Sequence, residues 1–289
     1  MATDGLVVVD KEPGWTSHDV VAKCRGIFGQ RRVGHAGTLD PDATGVLLVG
    51  LGRVTRLLRF LTALPKTYTA EIVLGVATST LDASGQVTGQ WDMGAVSLED
   101  AQAAAGQLVG PILQVPPMVS ALKVGGRRLH QLARAGLEVE REARPVVVHR
   151  FDLRPSGEAG VLGVEVVCSS GTYVRTLAAD LGTLLGGGAH LRRLRRTAIG
   201  SFAAGEGRPV GDLSADAVLP PAEALRDYPA VRVAADVVAD VAHGKVLATD
   251  RIAFVGEGPW PVLDGAGNLL AVYETHGEGR ARPAVVLAS

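Results

Sequence analysis

The densest grouping of residues able to do chemistry is Gly34-His35-Ala36-Gly37-Thr38-Leu39-Asp40-Pro41. Asp40 precedes a proline, which pushes its backbone toward extended geometry. Gly37 and Gly45, one on each side, admit the close approach of a ligand or of another stretch of chain. A carboxylate offered on such a loop can act as nucleophile or general base. An inert Asp-Pro turn has the same spacing, so spacing alone leaves both readings open. A second grouping is Ser169-Ser170-Gly171-Thr172-Tyr173-Val174-Arg175, where a strand gives way to a helix. The free N–H groups of a helix start favour anions. Arg175 suits a carboxylate partner and Tyr173 a planar ligand, against the plainer reading of a surface arginine beside a half-buried tyrosine. A third is Leu191-Arg192-Arg193-Leu194-Arg195-Arg196, four arginines in six residues that could follow phosphates. Its place just after a glycine cluster suggests a helix tip, and a solvated basic face is the alternative.

Other signatures are missing from the sequence. There is no GxxxxGK followed by Ser or Thr, no GxGxxG after a strand, no HExxH and no CxxC. The seven histidines, at 18, 35, 130, 149, 190, 243 and 276, are not at metal-ligand spacing. We expect neither a metal nor a nucleotide cofactor. Cys24 and Cys168 are too few for a disulfide scaffold or a four-cysteine zinc site, which fits a reducing compartment.

The elements that must position these groups follow from patterning. Residues 5–10 read as a buried strand. Thr16 or Ser17 caps a helix that carries Val20, Val21, Cys24, Ile27 and Phe28 on one face and stops at Gly29. Residues 34–52 are too irregular for one helix or strand. A short helix over 54–61 and a strand over 68–76 come next, then a turn at 82–85. Ser97 caps a further helix, with Asp100 at the position of the capping-box acid. A short helix is expected over 129–135, strands over 146–151 and 161–167, and a helix over 173–185. The order mixes β and α without a regular βαβ repeat, so the class is α+β. A connector spans about 213–229. Short β-like runs at 245–248, 252–255, 260–263, 269–273 and 284–287 follow, with a hairpin turn at 264–268.

At 289 residues and 47% apolar composition, the chain has room for one large domain and a small appendage. Its net charge of −1 hides an asymmetry. Residues 1–110 carry 9 Lys/Arg and 11 Asp/Glu, 111–200 carry 13 and 7, and 201–289 carry 7 and 12. A basic middle third in a near-neutral chain is the footprint of a local polyanion contact or of a solvated basic face. No long apolar run or basic leader is visible, so we expect neither a membrane span nor a signal peptide.

RRVGHAGTLDPDATGVLLVG resembles the nucleophile motif of the bacterial tRNA pseudouridine synthase B (TruB) family. DKEPGWTSHDVV, KTYTAEIVLG, QVPPMVSALKVGGRRLHQLARAGLEVEREARPV, SSGTYVRTLAADLG and GAHLRRLRRTAIGSF resemble, in family order, its N-terminal motif, tyrosine motif, RNA-gripping insertion, arginine motif and the segment after it. Together they cover roughly residues 5–205. The resemblance implies a pseudouridine synthase fold with an antiparallel central sheet and a small β-rich C-terminal domain of the PUA type. The corresponding domains are 1–225, with the insertion at about 114–150, and 226–289.

The implied activity is cofactor-free isomerisation of a uridine in the T-arm loop of tRNA, position 55, by a monomer in the cytoplasm. Asp40 is the implied reacting carboxylate, Arg175 its guanidinium partner and Tyr68 the aromatic that stacks on the base. His35, Tyr173 and Leu194 line the pocket or hold the flipped loop. Lys123, Arg127, Arg128, Arg192 and Arg193 are the implied RNA contacts. Two departures from the family pattern stand out: Lys11 is followed by Glu12, with Pro13 one place later, and Asp42 follows Asp40-Pro41. We expect Asp42 to face solvent. An RNA-binding protein with secondary chemistry, or a hydrolase using Asp40, are the competing classes.

Overall fold

The computed structural model describes residues 3–120, 122–124, 127–129, 137 and 139–288. The chain begins β1 (Gly5–Lys11), α1 (Ser17–Ile27), β2 (Val33–Ala36), β3 (Thr44–Leu51), α2 (Leu58–Ala63), β4 (Lys66–Leu74), β5 (Val76–Thr78) and β6 (Val87–Gln90). It continues through α3 (Leu98–Gly106), β7 (Gly110–Gln114), β8 (Lys123–Val124), β9 (Arg127–Arg128), β10 (Arg144–Pro155), β11 (Val161–Cys168), α4 (Val174–Leu184), β12 (Ala189–Ile199) and β13 (Phe202–Ala203). After short 3-10 turns come β14 (Val231–Arg232), α5 (Ala235–Ala242), β15 (Leu247–Ala248), β16 (Trp260–Leu263), β17 (Leu269–Thr275) and β18 (Arg280–Val286). The helix expected over 129–135 lies, from 130 onward, outside the described residues.

Contacts group the chain into two units, residues 1–41, 45–64 and 199–289 in the first and 42–44 and 65–198 in the second. In the first unit β1 and β2 both pair antiparallel with β3, at Val7↔Val49 and His35↔Val49. Successive side chains of a strand face opposite ways, and here both faces are covered, which is why β1 reads as an unbroken apolar run. Val7, Val9, Leu47 and Val49 pack with Val20, Val21 and Cys24 of α1. Leu6, Val8, Val46 and Leu48 share the opposite core with Phe60 and Leu61 of α2 and with Leu269, Val272, Val285 and Leu287 near the C-terminus. The β-rich C-terminal segment forms a sheet ordered β14-β16-β17-β18-β15, closed by the expected hairpin turn at Asp264 to Asn268. The strand expected over 252–255 is a turn instead. Its apolar residues do not join a ladder: Ile252 is buried in the local core, half-buried Phe254 stacks on Trp260 at 4.5 Å, and Val255 is exposed.

In the second unit the sheet runs β12-β4-β11-β10-β7, with antiparallel pairing along β4, β11, β10 and β7. The alternation of β4 buries Lys66, Tyr68, Ala70, Ile72 and Leu74 and half-exposes the residues between. α3 packs on β10 and on α4. The arginine run 192–196 corrects the expected helix tip: it lies within β12. α4 ends before Gly186, whose φ of +80° stops the helix, and the chain then re-enters the sheet. The glycine-punctuated stretch 34–52 resolves into β2, a loop and β3. Among the described residues no helix is long and apolar enough to cross a membrane.

Candidate active site

In the first unit, half-buried Asp40 lies in the loop between β2 and β3. Gly37, with φ +81°, makes the turn out of β2, a conformation that suits glycine. Segment 11–17 grips both neighbours of Asp40. The fully buried Lys11 donates from Nζ to the carbonyls of Glu12 (3.0 Å), Trp15 (2.8 Å) and Pro41 (2.9 Å). The Gly14 N–H donates to the same Pro41 oxygen at 3.0 Å. On the other side, the Ser17 hydroxyl accepts from Leu39 N–H at 2.9 Å and donates to Leu39 C=O at 3.2 Å. A buried ammonium is costly unless its donors are used, and all three carbonyl partners of Lys11 are backbone groups that need one. His35 is half-buried on β2, its ring edge-on to His18 at 5.4 Å. Asp42 is exposed, as expected.

The second unit holds the other residues singled out. Tyr68 lies buried on β4, opposite Val166. Arg175, on the first turn of α4 and 5% exposed, donates to Asp82 Oδ2 (3.1 Å) and to the carbonyls of Thr80 (3.1 Å) and Val119 (2.8 Å). Asp82 is held in turn by the hydroxyls of Thr80 and Ser84, both at 2.6 Å. Tyr173 is the N-cap residue of α4. The side-chain amide of buried Gln114 accepts from its N–H (2.7 Å) and donates to its C=O (3.1 Å). Leu194 is half-buried on β12.

Arg192 bridges the carboxylates of Glu71 and Glu158, and Arg193 pairs with Glu71 at 2.8 Å. Partial burial would raise the Glu71 carboxyl, but hydrogen bonds from both arginines hold it below its ordinary value. These guanidiniums are therefore already partly neutralised within the protein. Where β4 and β11 pair at Lys66 and Cys168, burial and then the charge of Arg196 lower Lys66 to about 8, and burial pushes the Cys168 thiol up to about 11. The side chains of Lys123, Arg127 and Arg128 lie outside what the structure describes. Among the described residues no group of three or more His, Cys, Asp or Glu could hold a metal ion.

The family model for the N-terminal domain of the TruB family pseudouridylate synthases matches residues 25–174, and the model for the tRNA pseudouridylate synthase B C-terminal domain matches 175–225. The chain belongs to the TruB family. It is 45% identical to the tRNA pseudouridine synthase B of Mycobacterium bovis, across 98% of this chain and 95% of that one. It is 50% identical to the protein of that description from Symbiobacterium thermophilum, across 83% and 82%. Among solved structures it resembles a chain of a Cbf5-Nop10-Gar1 complex, with TM-score 0.75 and 27% identity over 99% of this chain and 84% of that one. As a TruB-family member the chain is a tRNA pseudouridine synthase, an isomerase, with the pseudouridine synthase fold and a PUA-like C-terminal domain.

The sequence points to Asp40, Tyr68, Arg175 and Tyr173 but not to the residues that hold Arg175, Tyr173 and the neighbours of Asp40. Asp82 was legible only as a turn residue, and Gln114 only as the first residue of the insertion motif. Lys11 and Ser17 lie inside the N-terminal motif, where Ser17 reads as a candidate helix cap beside Thr16; the cap is Thr16, and Ser17 binds Leu39 instead. Each acts on a partner distant in the chain, 30 residues for Lys11 on Pro41 and 93 for Asp82 on Arg175. Only the folded arrangement shows such pairs.

Proposed function

We propose that this TruB-family enzyme isomerises the uridine at position 55, in the T-arm loop of tRNA, with Asp40 as the reacting carboxylate. The observation that carries the reading is the loop itself: an aspartate whose two neighbours are both tied to segment 11–17. Such fixing suits a group that must meet a reacting atom in one geometry. In the reaction the bond from uracil N1 to ribose C1′ breaks and a bond from C5 to C1′ forms. C5 loses its proton and N1 gains one, so neither an electron donor nor a group donor is consumed.

Tyr68 and Arg175 complete the proposed catalytic set. Tyr68 stacks on the base, worth about 1–3 kcal/mol on the scale of base–aromatic contacts. Arg175 supplies a permanent positive charge to the carboxylate chemistry. The target nucleotide leaves its stack at a cost of a few kcal/mol, which phosphate contacts from Lys123, Arg127, Arg128, Arg192 and Arg193 offset. His35, Tyr173 and Leu194 line the pocket or hold the flipped loop. Residues 1–225 form the catalytic domain and 226–289 the PUA-type domain, and the enzyme works as a cytoplasmic monomer.

The test is pseudouridine mapping on a T-arm transcript after incubation with purified enzyme. Wild type modifies one position, and Asp40→Asn and Asp40→Ala modify none while binding the RNA. Product from either variant at the wild-type rate would remove Asp40 from the mechanism.

A further inference from the structure

We propose that Ser17 is a positioning residue for catalysis: its hydroxyl holds the peptide that leads into Asp40, and so sets the direction of the reacting carboxylate. The proposal rests on the reading of Asp40 as that carboxylate. Ser17 is 1% exposed and is the first residue of α1. Side-chain oxygens at a helix start ordinarily bind the free N–H groups of the first turn. Here that task is already done. Thr16 Oγ1 accepts from Asp19 N–H at 3.1 Å, and the Asp19 carboxylate accepts from Thr16 N–H at 2.9 Å. The Ser17 hydroxyl is directed instead to Leu39, 22 residues along the chain, where it serves both backbone polar groups at once. Leu39 is itself buried, so without the hydroxyl those groups lose their partner away from water.

The geometry explains why this bears on Asp40. The Leu39 carbonyl belongs to the same rigid peptide plane as the Asp40 N–H. Fixing its oxygen fixes the entry dihedral of Asp40. On the far side Pro41 has no N–H, and its carbonyl is held by Lys11 and Gly14. Asp40 is thus preceded by a peptide that the Ser17 hydroxyl pins and followed, one residue further on, by the Pro41 carbonyl that Lys11 and Gly14 hold. Removing the hydroxyl lets the first plane rotate and the carboxylate swing with it. A misplacement on the order of 1 Å at a reacting group costs about 100-fold in rate. RNA affinity, spread over many phosphate contacts, is untouched.

The experiment compares Ser17→Ala, Ser17→Thr and Asp40→Asn with wild type. It reads the single-turnover rate of pseudouridine formation with enzyme saturating, the dissociation constant for the T-arm RNA, and the melting temperature. Ser17→Ala is expected to slow the single-turnover rate by about 10- to 100-fold with the dissociation constant within about two-fold of wild type. Ser17→Thr, which keeps the hydroxyl, restores most of the rate. A Ser17→Ala rate within two-fold of wild type overturns the proposal, as does a loss carried entirely by weaker RNA binding, or a Ser17→Thr rate as low as that of Ser17→Ala. If Ser17→Ala does not fold, Ser17→Cys preserves the volume while weakening both bonds. An intermediate rate then supports the proposal and an undiminished rate overturns it. An inactive Asp40→Asn beside a fully active Ser17→Ala overturns only the role of Ser17, whereas an active Asp40→Asn overturns the reading of Asp40 on which it rests.

Discussion

A buried ammonium is tolerable only where every donor is used, and Lys11 shows the arrangement turned to a purpose. Its three carbonyl partners include the one that closes the loop after Asp40. Lys11→Met fills the same space and strips those carbonyls of their donor. It should lower the unfolding free energy by about 2–4 kcal/mol, read by chemical denaturation, and should slow catalysis as well; a variant as stable as wild type would show that the three bonds are energetically idle. Lys66 is a buried ammonium whose titration is displaced. Burial and the neighbouring Arg196 hold it near 8, below its ordinary 10.5. Above pH 8 the folded protein has released a proton that the unfolded chain keeps until about 10.5. Stability therefore rises with pH across that window and is flat, for this group, below it. Relative to Lys66→Met, wild type should gain up to about 3 kcal/mol between pH 8 and 10.5. Parallel denaturation curves at several pH values would measure the gain, and a pH-independent difference would contradict it.

Among the elements, α1 and α4 each carry a glycine, and their surroundings decide opposite outcomes for the same substitution. Alanine is better than glycine inside a helix by roughly 1 kcal/mol. A Cβ on Gly26 in α1 would meet nothing within 4 Å. Gly26→Ala should therefore stabilise by about 0.5–1 kcal/mol. A Cβ on Gly182 in α4 would sit 2.4 Å from Ala189 N and 2.5 Å from Gly188 C, backbone atoms that cannot step aside like a flexible side chain. Overpacking costs about 1–3 kcal/mol, which outweighs the helix gain. Gly182→Ala should thus destabilise and displace the start of β12, the strand that carries the arginine run. Melting temperatures moving in opposite directions for the two variants would bear this out, and a rise for both would refute it.

At the scale of the whole molecule, the C-terminal segment is not a detachable appendage of the first unit. Leu269, Val272, Val285 and Leu287 share one core with Leu6, Leu48 and Phe60. Each such side chain contributes about 1.5–3 kcal/mol by burial. Ending the chain after residue 225 should lower the melting temperature by about 10 °C or more, or leave the protein insoluble. A truncated chain with wild-type melting would mean that this shared core contributes little. The charge asymmetry also looks different once folded. The middle third is basic by sequence, yet Arg192 and Arg193 spend much of their charge on Glu71 and Glu158. Counting charges along the chain therefore overstates the field those two present to an RNA.

What the sequence determined by itself was local: β1 as an apolar run, a helix cap at Thr16 or Ser17, the Ser97 cap with Asp100, and the glycine-bracketed loop of Asp40. Caps and turns are written in residues a few places apart, and motif spacing is chain spacing, so these needed no coordinates. Tertiary structure alone decided the partners: Ser17 with Leu39, Lys11 with Pro41, Arg175 with Asp82, Gln114 with Tyr173. It also decided that the arginines of 192–196 ride a strand and that 252–255 does not form one. The reason is physical. A polar side chain meets whichever group the ordering of strands and helices delivers to it, and that ordering is a property of the packed chain rather than of any short stretch of it.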